Sequence, residues 1–392
     1  MAHSGSEEKI PFWRDERFWR IALQVITLVV VVTVLWLLWD NASVSLQRQG
    51  RQFNFNFLRN EAGFNIGETV VPYNPNDRYY WAIVVGLINT LRLILVGFVL
   101  TTSVGIIAGI ASFSENWLVR KLSQVYVEVI RNTPLLLQLF IWYFGVFYAL
   151  ARSAQPNRPN SLFEAAFITN KGIVVPWPPP TPLSWISTLL LVAAIVTMGL
   201  LWRWRTQLMV EQGASGKPQL TALIVLGVVA LLLLTIGLNW QFPTVSETGD
   251  IEGGLRLSIE YVAVLSALVF YTGAFIAEIV RAGIQSVSKG QWEAARALGI
   301  HSGLVMRLVV FPQALRVIIP SLNSQYMNLA KNSSLALAIG YPDIYSTANT
   351  TFNQTGRPIE VFLIIMAIYL SINLIITVVM NQLNRAVQLK ER

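Results

Sequence analysis

Charge is scarce in this chain. Only 13% of its 392 residues are Asp, Glu, Lys or Arg, where a soluble domain carries about 25%. With 54% hydrophobic residues and a mean hydropathy of +0.52, the sequence reads as an integral membrane protein. Cysteine is absent, which excludes disulfides, a thiolate zinc site and a cysteine nucleophile. Two histidines, His3 and His301, are too few for a His-rich metal site. No G-x-S-x-G, no H-E-x-x-H and no LSGGQ occurs, so neither catalytic residues, a bound metal nor a nucleotide site is expected, and the chain is not expected to be an enzyme. The string GASGKP has the look of a phosphate-binding loop. That loop needs a glycine five residues before Gly216, where Glu211 stands, and Pro218 replaces its Ser or Thr. The net charge of +8 comes without a basic run interleaved with aromatics, so nucleic acid is not an expected partner.

What is present is a series of apolar runs. Residues 1–20 are polar and of mixed charge, and residues 21–39 are long enough to cross a hydrocarbon core of about 30 Å. A cleaved signal peptide is disfavoured there: the run is long, its leader is acidic as well as basic, and no A-x-A site follows. Residues 40–80 form a polar loop that packs over the outer face. Further spans are expected at 81–113, 123–150, 185–202, 220–238, 258–280, 315–340 and 359–380. Arg92 belongs near the outer surface, because a charge at mid-bilayer costs about 2.5–3.5 kcal/mol. Pro134 bends or breaks the third span, with Asn132 and Thr133 able to serve the freed backbone groups. Residues 114–122, 151–184 and 341–357 read as loops without regular structure. The acidic group Glu247, Asp250 and Glu252 lies before the sixth span. Eight spans place both ends on one side, and Lys and Arg in the short loops put that side in the cytoplasm.

The stretch from Lys289 to Asn323 lies between two spans and is too polar to cross. It reads as a helix over 291–298, a turn at Gly299, which tolerates positive φ, and a second helix from Ser302. Its order, Glu293-Ala294-Ala295, then Gly299, then Phe311-Pro312, resembles the EAA loop of permease subunits of bacterial ABC importers. The wider strings GQWEAARALG, FPQALR and KNSSLA, with YVEVIRNTPLLLQLF in the third span, resemble the polar amino-acid branch. The long outer loops and the extra spans four and five resemble the broad-specificity general L-amino-acid permeases. The likeness covers residues 86–150 and 257–384. Phe311 departs from the leucine frequent in the family but keeps an apolar contact.

This resemblance implies an all-α membrane fold of the type I ABC importer permease kind, with about eight spans and a cytoplasmic coupling helix. It divides the chain into a cytoplasmic segment (1–20), a first span (21–39), a periplasmic loop (40–80), a first core part (81–150), an outer loop with an inserted span pair (151–257), a second core part (258–384) containing the EAA loop at 282–314, and a cytoplasmic tail (385–392). It further implies a multi-pass protein of the bacterial inner membrane and transport of L-amino acids from periplasm to cytoplasm by alternating access. The implied partners are a second permease subunit in a heterodimer, two ABC ATPases holding the ATP and magnesium, a periplasmic amino-acid-binding protein and membrane lipid. No cofactor is expected on this chain. Coupling falls to Gln291, Trp292, Glu293, Ala294, Ala295, Arg296, Leu298 and Gly299.

Two further sets are expected to serve transport. Glu128 and Arg131, like Glu278 and Arg281, stand three residues apart on one helix face. They form an ion-paired inner gate, or else snorkel to the interface. Asn328, Lys331, Asn332 and Ser333 in the polar seventh span, with Gln138, line a substrate pathway, or else hold helices together. Two rival classes stand beside the ABC permease. An ion-coupled secondary transporter would want mid-span carboxylates, which are nearly absent. A non-transporting scaffold would have less use for the polar seventh span.

Overall fold

The computed structural model describes residues 16–48, 52–153, 160–162, 165–169, 172–213, 215–246 and 251–387. Most of residues 1–20, the end of the tail, Pro156, Pro159, Glu247 and Asp250 lie outside this set. Among the described residues eight helical segments are long and apolar enough to cross a membrane. α1 (Glu16–Arg48) comes first and exposes its apolar side chains on every face. α2 (Tyr79–Ala111) is an unbroken 33-residue helix.

The third span, expected at 123–150, is Leu135–Ser153, and α3 (Trp117–Arg131) stands before it. α3 ends at Asn132, and α4 (Leu135–Phe140) starts after Pro134 and continues through a π-helical stretch (Ile141–Tyr148) into α5 (Ala149–Ser153). The break at Pro134 agrees with the sequence, but the loop expected at 114–122 is mostly helix. Asn116 caps it, its Oδ1 accepting from Leu118 N at 2.9 Å. The segment expected to lack regular structure after it contains β1 (Asn160–Leu162), β2 (Ala166–Thr169) and β3 (Gly172–Val175). α6 (Pro182–Gln212) and α7 (Lys217–Leu232, continued to Gly237) form a helical hairpin. Then come β4 (Thr244–Val245), β5 (Ile251–Glu252) and β6 (Leu255–Leu257). The strands form an antiparallel sheet of order β1-β2-β3-β6 and a β4–β5 pair.

α8 (Ile259–Gln285) is the centre of the bundle and the most buried of the spans. It lies beside α2 with the same chain direction: Thr101 Oγ1 donates to Val269 O at 3.3 Å, and Gly105 and Gly109 sit against Ile276 and Val280. A Cβ at Gly109 would stand 2.7 Å from Val280. Only hydrogen fits there, and this close approach replaces the hydrophobic drive that helices lose in lipid. After α8 come α9 (Lys289–Ala297), α10 (Ser302–Val305), a π-helical stretch (Met306–Val310), α11 (Phe311–Asn332), a 3-10 segment (Ser333–Ile339), α12 (Ile344–Thr355) and α13 (Pro358–Val387). Residues 341–357, expected as loop, are thus largely helical. Asp343 starts α12 by accepting from Ser346 N at 2.8 Å.

Candidate functional site

α9 projects between two spans at one end of the bundle. Its inner side is pinned by Ala295, which is 4% exposed and packs with Val287, Val305 and Val310, with Trp292 beside them. Gln313 Nε2 donates to Gln291 Oε1 at 3.3 Å. The helix stops in a defined way. Gly299 N donates to Arg296 O at 2.9 Å and Ile300 N to Ala295 O at 3.3 Å, with Gly299 at φ +69°. These two bonds make a Schellman motif, which takes the last carbonyls out of competition and turns the chain back. His301 Nδ1 then accepts from Gly303 N at 3.2 Å and starts α10. The outer side shows Gln291, Glu293, Ala294, Arg296 and Leu298. Leu298 is 79% exposed, an apolar side chain offered between charges. The expected coupling residues therefore lie on one short helix and its C-terminal cap, with Trp292 and Ala295 turned inward.

A polar cavity of about 470 Å³ lies between α2, α3 and α8. Ser112, Gln124, Glu128, Arg131, Asn132, Glu278 and Arg281 line it. The four charged residues expected at the gate thus come together, and the spacing-based pair Glu278–Arg281 is present, but Arg131 pairs across to α8 rather than with Glu128. Arg131 Nη1 crosses to Glu278 Oε2 at 3.6 Å, while Arg281 Nε stands 3.7 Å from Glu278 Oε1. Glu278 is the shared anion between two helices. The guanidinium of Arg131 also lies 5.2 Å from the ring of Phe275. All three charges are more than a third exposed, so these long contacts are weak links.

The expected pathway residues separate. Asn328 and Lys331 lie on the exposed side of α11, with Arg316 and Ser324 on the same side. Ser333 is buried and donates to Ala330 O at 2.8 Å. Asn332 is half-buried against α4 and α8. Gln138 is 4% exposed and turned into the break at Pro134, where Nε2 donates to Ile130 O at 2.9 Å and to Thr133 O at 3.0 Å.

One polar cluster escaped the sequence reading. Arg92 lies in the middle part of α2, and its partner is Glu68, with Nη1 to Oε1 at 2.6 Å. Glu68 Oε2 takes a hydrogen bond from Ser258, the residue that caps α8. Asn89 Nδ2 donates to Glu68 O at 2.8 Å and to Pro342 O at 2.9 Å. The Arg92 guanidinium lies 4.1 Å from the Tyr261 ring. A lone arginine in an apolar run needs a counter-charge, and that rule would have pointed to the loop before it.

Compared with known proteins, residues 101–389 match the family described as the binding-protein-dependent transport system inner membrane component. The general L-amino acid transport system permease protein AapQ of Rhizobium johnstonii is 39% identical over 383 residues, covering 96% of this chain and 94% of its own. The glutamate/glutamine/aspartate/asparagine transport system permease protein BztB of Rhodobacter capsulatus is 38% identical over 410 residues, covering 96% of both. A crystal structure of an amino acid ABC transporter with histidines superposes at a TM-score of 0.47 with 23% identity, over 79% of this chain and 95% of that one. With eight candidate spans, a capped helix standing between two of them and a family match over most of its length, the chain belongs to the inner membrane components of binding-protein-dependent transport systems.

Proposed function

We propose that α9 is the surface on which a separate ATPase docks, that the end of the bundle bearing α9 faces the cytoplasm, and that both chain ends lie there. The chain itself is the permease subunit of an amino-acid ABC importer, a multi-pass membrane protein and a transport component. Its cargo is the L-amino acids named for its relatives, carried inward by alternating access across a bacterial inner membrane. ATP and magnesium belong to the partner enzymes, and this chain holds no cofactor.

The carrying observation is Leu298, 79% exposed on a helix that is otherwise firmly anchored. An apolar side chain held out at a rigid cap, on a helix that also exposes Gln291, Glu293 and Arg296, fits a groove on a soluble partner. One docking helix per chain calls for two permeases and two ATPases. The polar exposed side of α11, with Asn328 and Lys331, suits a seam with the second permease, since a lysine facing lipid would cost about 2.5–3.5 kcal/mol. The cavity with Glu128, Arg131, Glu278 and Arg281 is the inner gate, its weak ion pairs able to part and re-form as the helices shift. The strands and the 52–78 segment offer the opposite end to a periplasmic binding protein.

The test is a pull-down of the tagged chain from membranes expressing the whole transport system. An ATPase should co-purify, and Leu298→Asp should abolish this while leaving insertion and yield intact, because so exposed a residue contributes little to folding. Retention of the ATPase by that variant would place the docking surface elsewhere.

A further inference from the structure

The joint between α3 and the third span is unusual. A proline has no N–H and clashes with the carbonyl four residues earlier, and for Pro134 that carbonyl belongs to Ile130. In a continuous helix Ile130 O would be left without its bond. At the joint Ile130 O takes a long bond from Thr133 N at 3.3 Å and a shorter one from beyond the break, from Gln138 Nε2 at 2.9 Å, which also donates to Thr133 O at 3.0 Å. The neighbouring carbonyls are served in the same manner. Asn132 Nδ2 donates to Glu128 O at 2.7 Å, and Thr133 Oγ1 donates to Val129 O at 2.7 Å. Glu128 O, Val129 O and Ile130 O in the last turn of α3 therefore each have a donor without the helix continuing, so bending there leaves these three served.

The two sides of the joint are held differently. Beyond it, Leu135 and Leu139 are buried in the central cluster with Val264, Ala267 and Leu268 of α8. Before it, α3 is mostly exposed. It meets the bundle through Ser123 Oγ to Ala108 O at 2.6 Å, Tyr126 OH to Phe270 O at 2.7 Å and the long Arg131–Glu278 contact. The cavity of about 470 Å³ between α3 and its neighbours leaves room for it to move.

We propose that α3 is a hinged arm pivoting at residues 132–134, and that Gln138 is the positioning residue that keeps the joint open by holding the carbonyl of Ile130. The inference rests on the reading of the cavity as a gate: the arm carries Glu128 and Arg131, and its swing makes or breaks their approach to Glu278. α4 is the fixed end.

Two substitutions separate hinge from scaffold. Pro134→Ala restores an N–H that can bond Ile130 O, so the helix becomes continuous and stiff. Gln138→Leu removes the side-chain donor to Ile130 O and Thr133 O, leaving Ile130 O only the long bond from Thr133 N. The natural absence of cysteine allows spin labels at Val129→Cys and Ala282→Cys, read by double electron–electron resonance in the complex with its co-purifying ATPase in lipid nanodiscs, with and without ATP plus vanadate. In the otherwise unaltered chain the α3–α8 distance should shift with nucleotide. In Pro134→Ala the shift should collapse and uptake fall several-fold. Gln138→Leu alone should lower thermal stability; adding Pro134→Ala should restore stability but not uptake. If uptake returns together with stability, Gln138 is scaffold only and the proposal is overturned. If Pro134→Ala moves and transports normally, the hinge is wrong while the gate stands. If the unaltered complex transports with no change in distance, the gate reading fails and takes the hinge with it.

Discussion

Asp343 shows how one residue can serve a helix at an electrostatic cost. Its Oδ1 caps α12, while Oδ2 is buried with no hydrogen-bond partner among the described residues. Burial pushes the carboxyl up from its ordinary 3.8 to about 7, against the lowering effect of the backbone N–H bonds at Ser346 and Tyr345. Between those values the folded chain holds a proton that the unfolded chain has released, so stability falls as pH rises toward 7 and stays low above it. Asn is an equally good cap without the charge. Asp343→Asn should therefore match the parent only near pH 3 and surpass it increasingly as pH rises to 8, by up to roughly 2–4 kcal/mol. Thermal unfolding in detergent across that range checks this, and curves that stay parallel would rule it out. Gln138 teaches a related lesson. Expected in the pathway as a polar residue in an apolar span, it turns its amide nitrogen onto Ile130 O and Thr133 O at the break, while its Oε1 is buried with no hydrogen-bond partner among the described residues.

At the scale of elements, the spans were legible because long apolar runs admit few other readings, and the break at Pro134 follows from proline's missing N–H. The Gly299 turn was legible for the same kind of reason. α12 was not. Its sequence IYSTANTTFNQT buries Thr347 and Thr351 rather than an apolar stripe, and each hydroxyl bonds a carbonyl of its own helix. The short strands have too few residues for alternation to show. The order of the 52–78 segment was hidden because its anchors are distant in sequence. Arg357 Nη1 donates to Gln52 O at 3.0 Å, Phe57 packs with Ala348 and Val361, and Glu68 reaches Arg92 and Ser258. This segment thereby ties α2, α8, α12 and α13 together at one end. Glu68→Gln should leave the half-buried Arg92 without its counter-charge and destabilise the fold by about 1–3 kcal/mol. Arg92→Met on top of it should cost less than the two single changes summed, since the stranded charge is then gone. A double-mutant cycle on melting temperature measures this, and strict additivity would show that the pair is not coupled.

At the scale of the whole molecule, the α6–α7 hairpin stands apart from the rest. Its long apolar side chains are exposed along both helices, as lipid-facing surfaces are, and its own closure is local, with Ser184 Oγ donating to Leu238 O at 3.3 Å. The chain leaves and re-enters the bundle at one place. Trp177 N donates to Gln241 O and Gln241 N to Trp177 O, both at 3.2 Å, and β3 pairs with β6 just beyond. The two ends of the insertion are thus already neighbours, and joining them strains nothing. Two spans are an even number, so their loss leaves the orientation of α8 through α13 unchanged. The close contact of α2 with α8 and the capped α9 owe nothing to the hairpin. A chain in which a short Gly-Ser linker replaces residues 179–239 should therefore insert into the membrane and still co-purify its ATPase. Loss of insertion would make the hairpin part of the folding core, and loss of the ATPase alone would mean that the hairpin supports α9 from a distance.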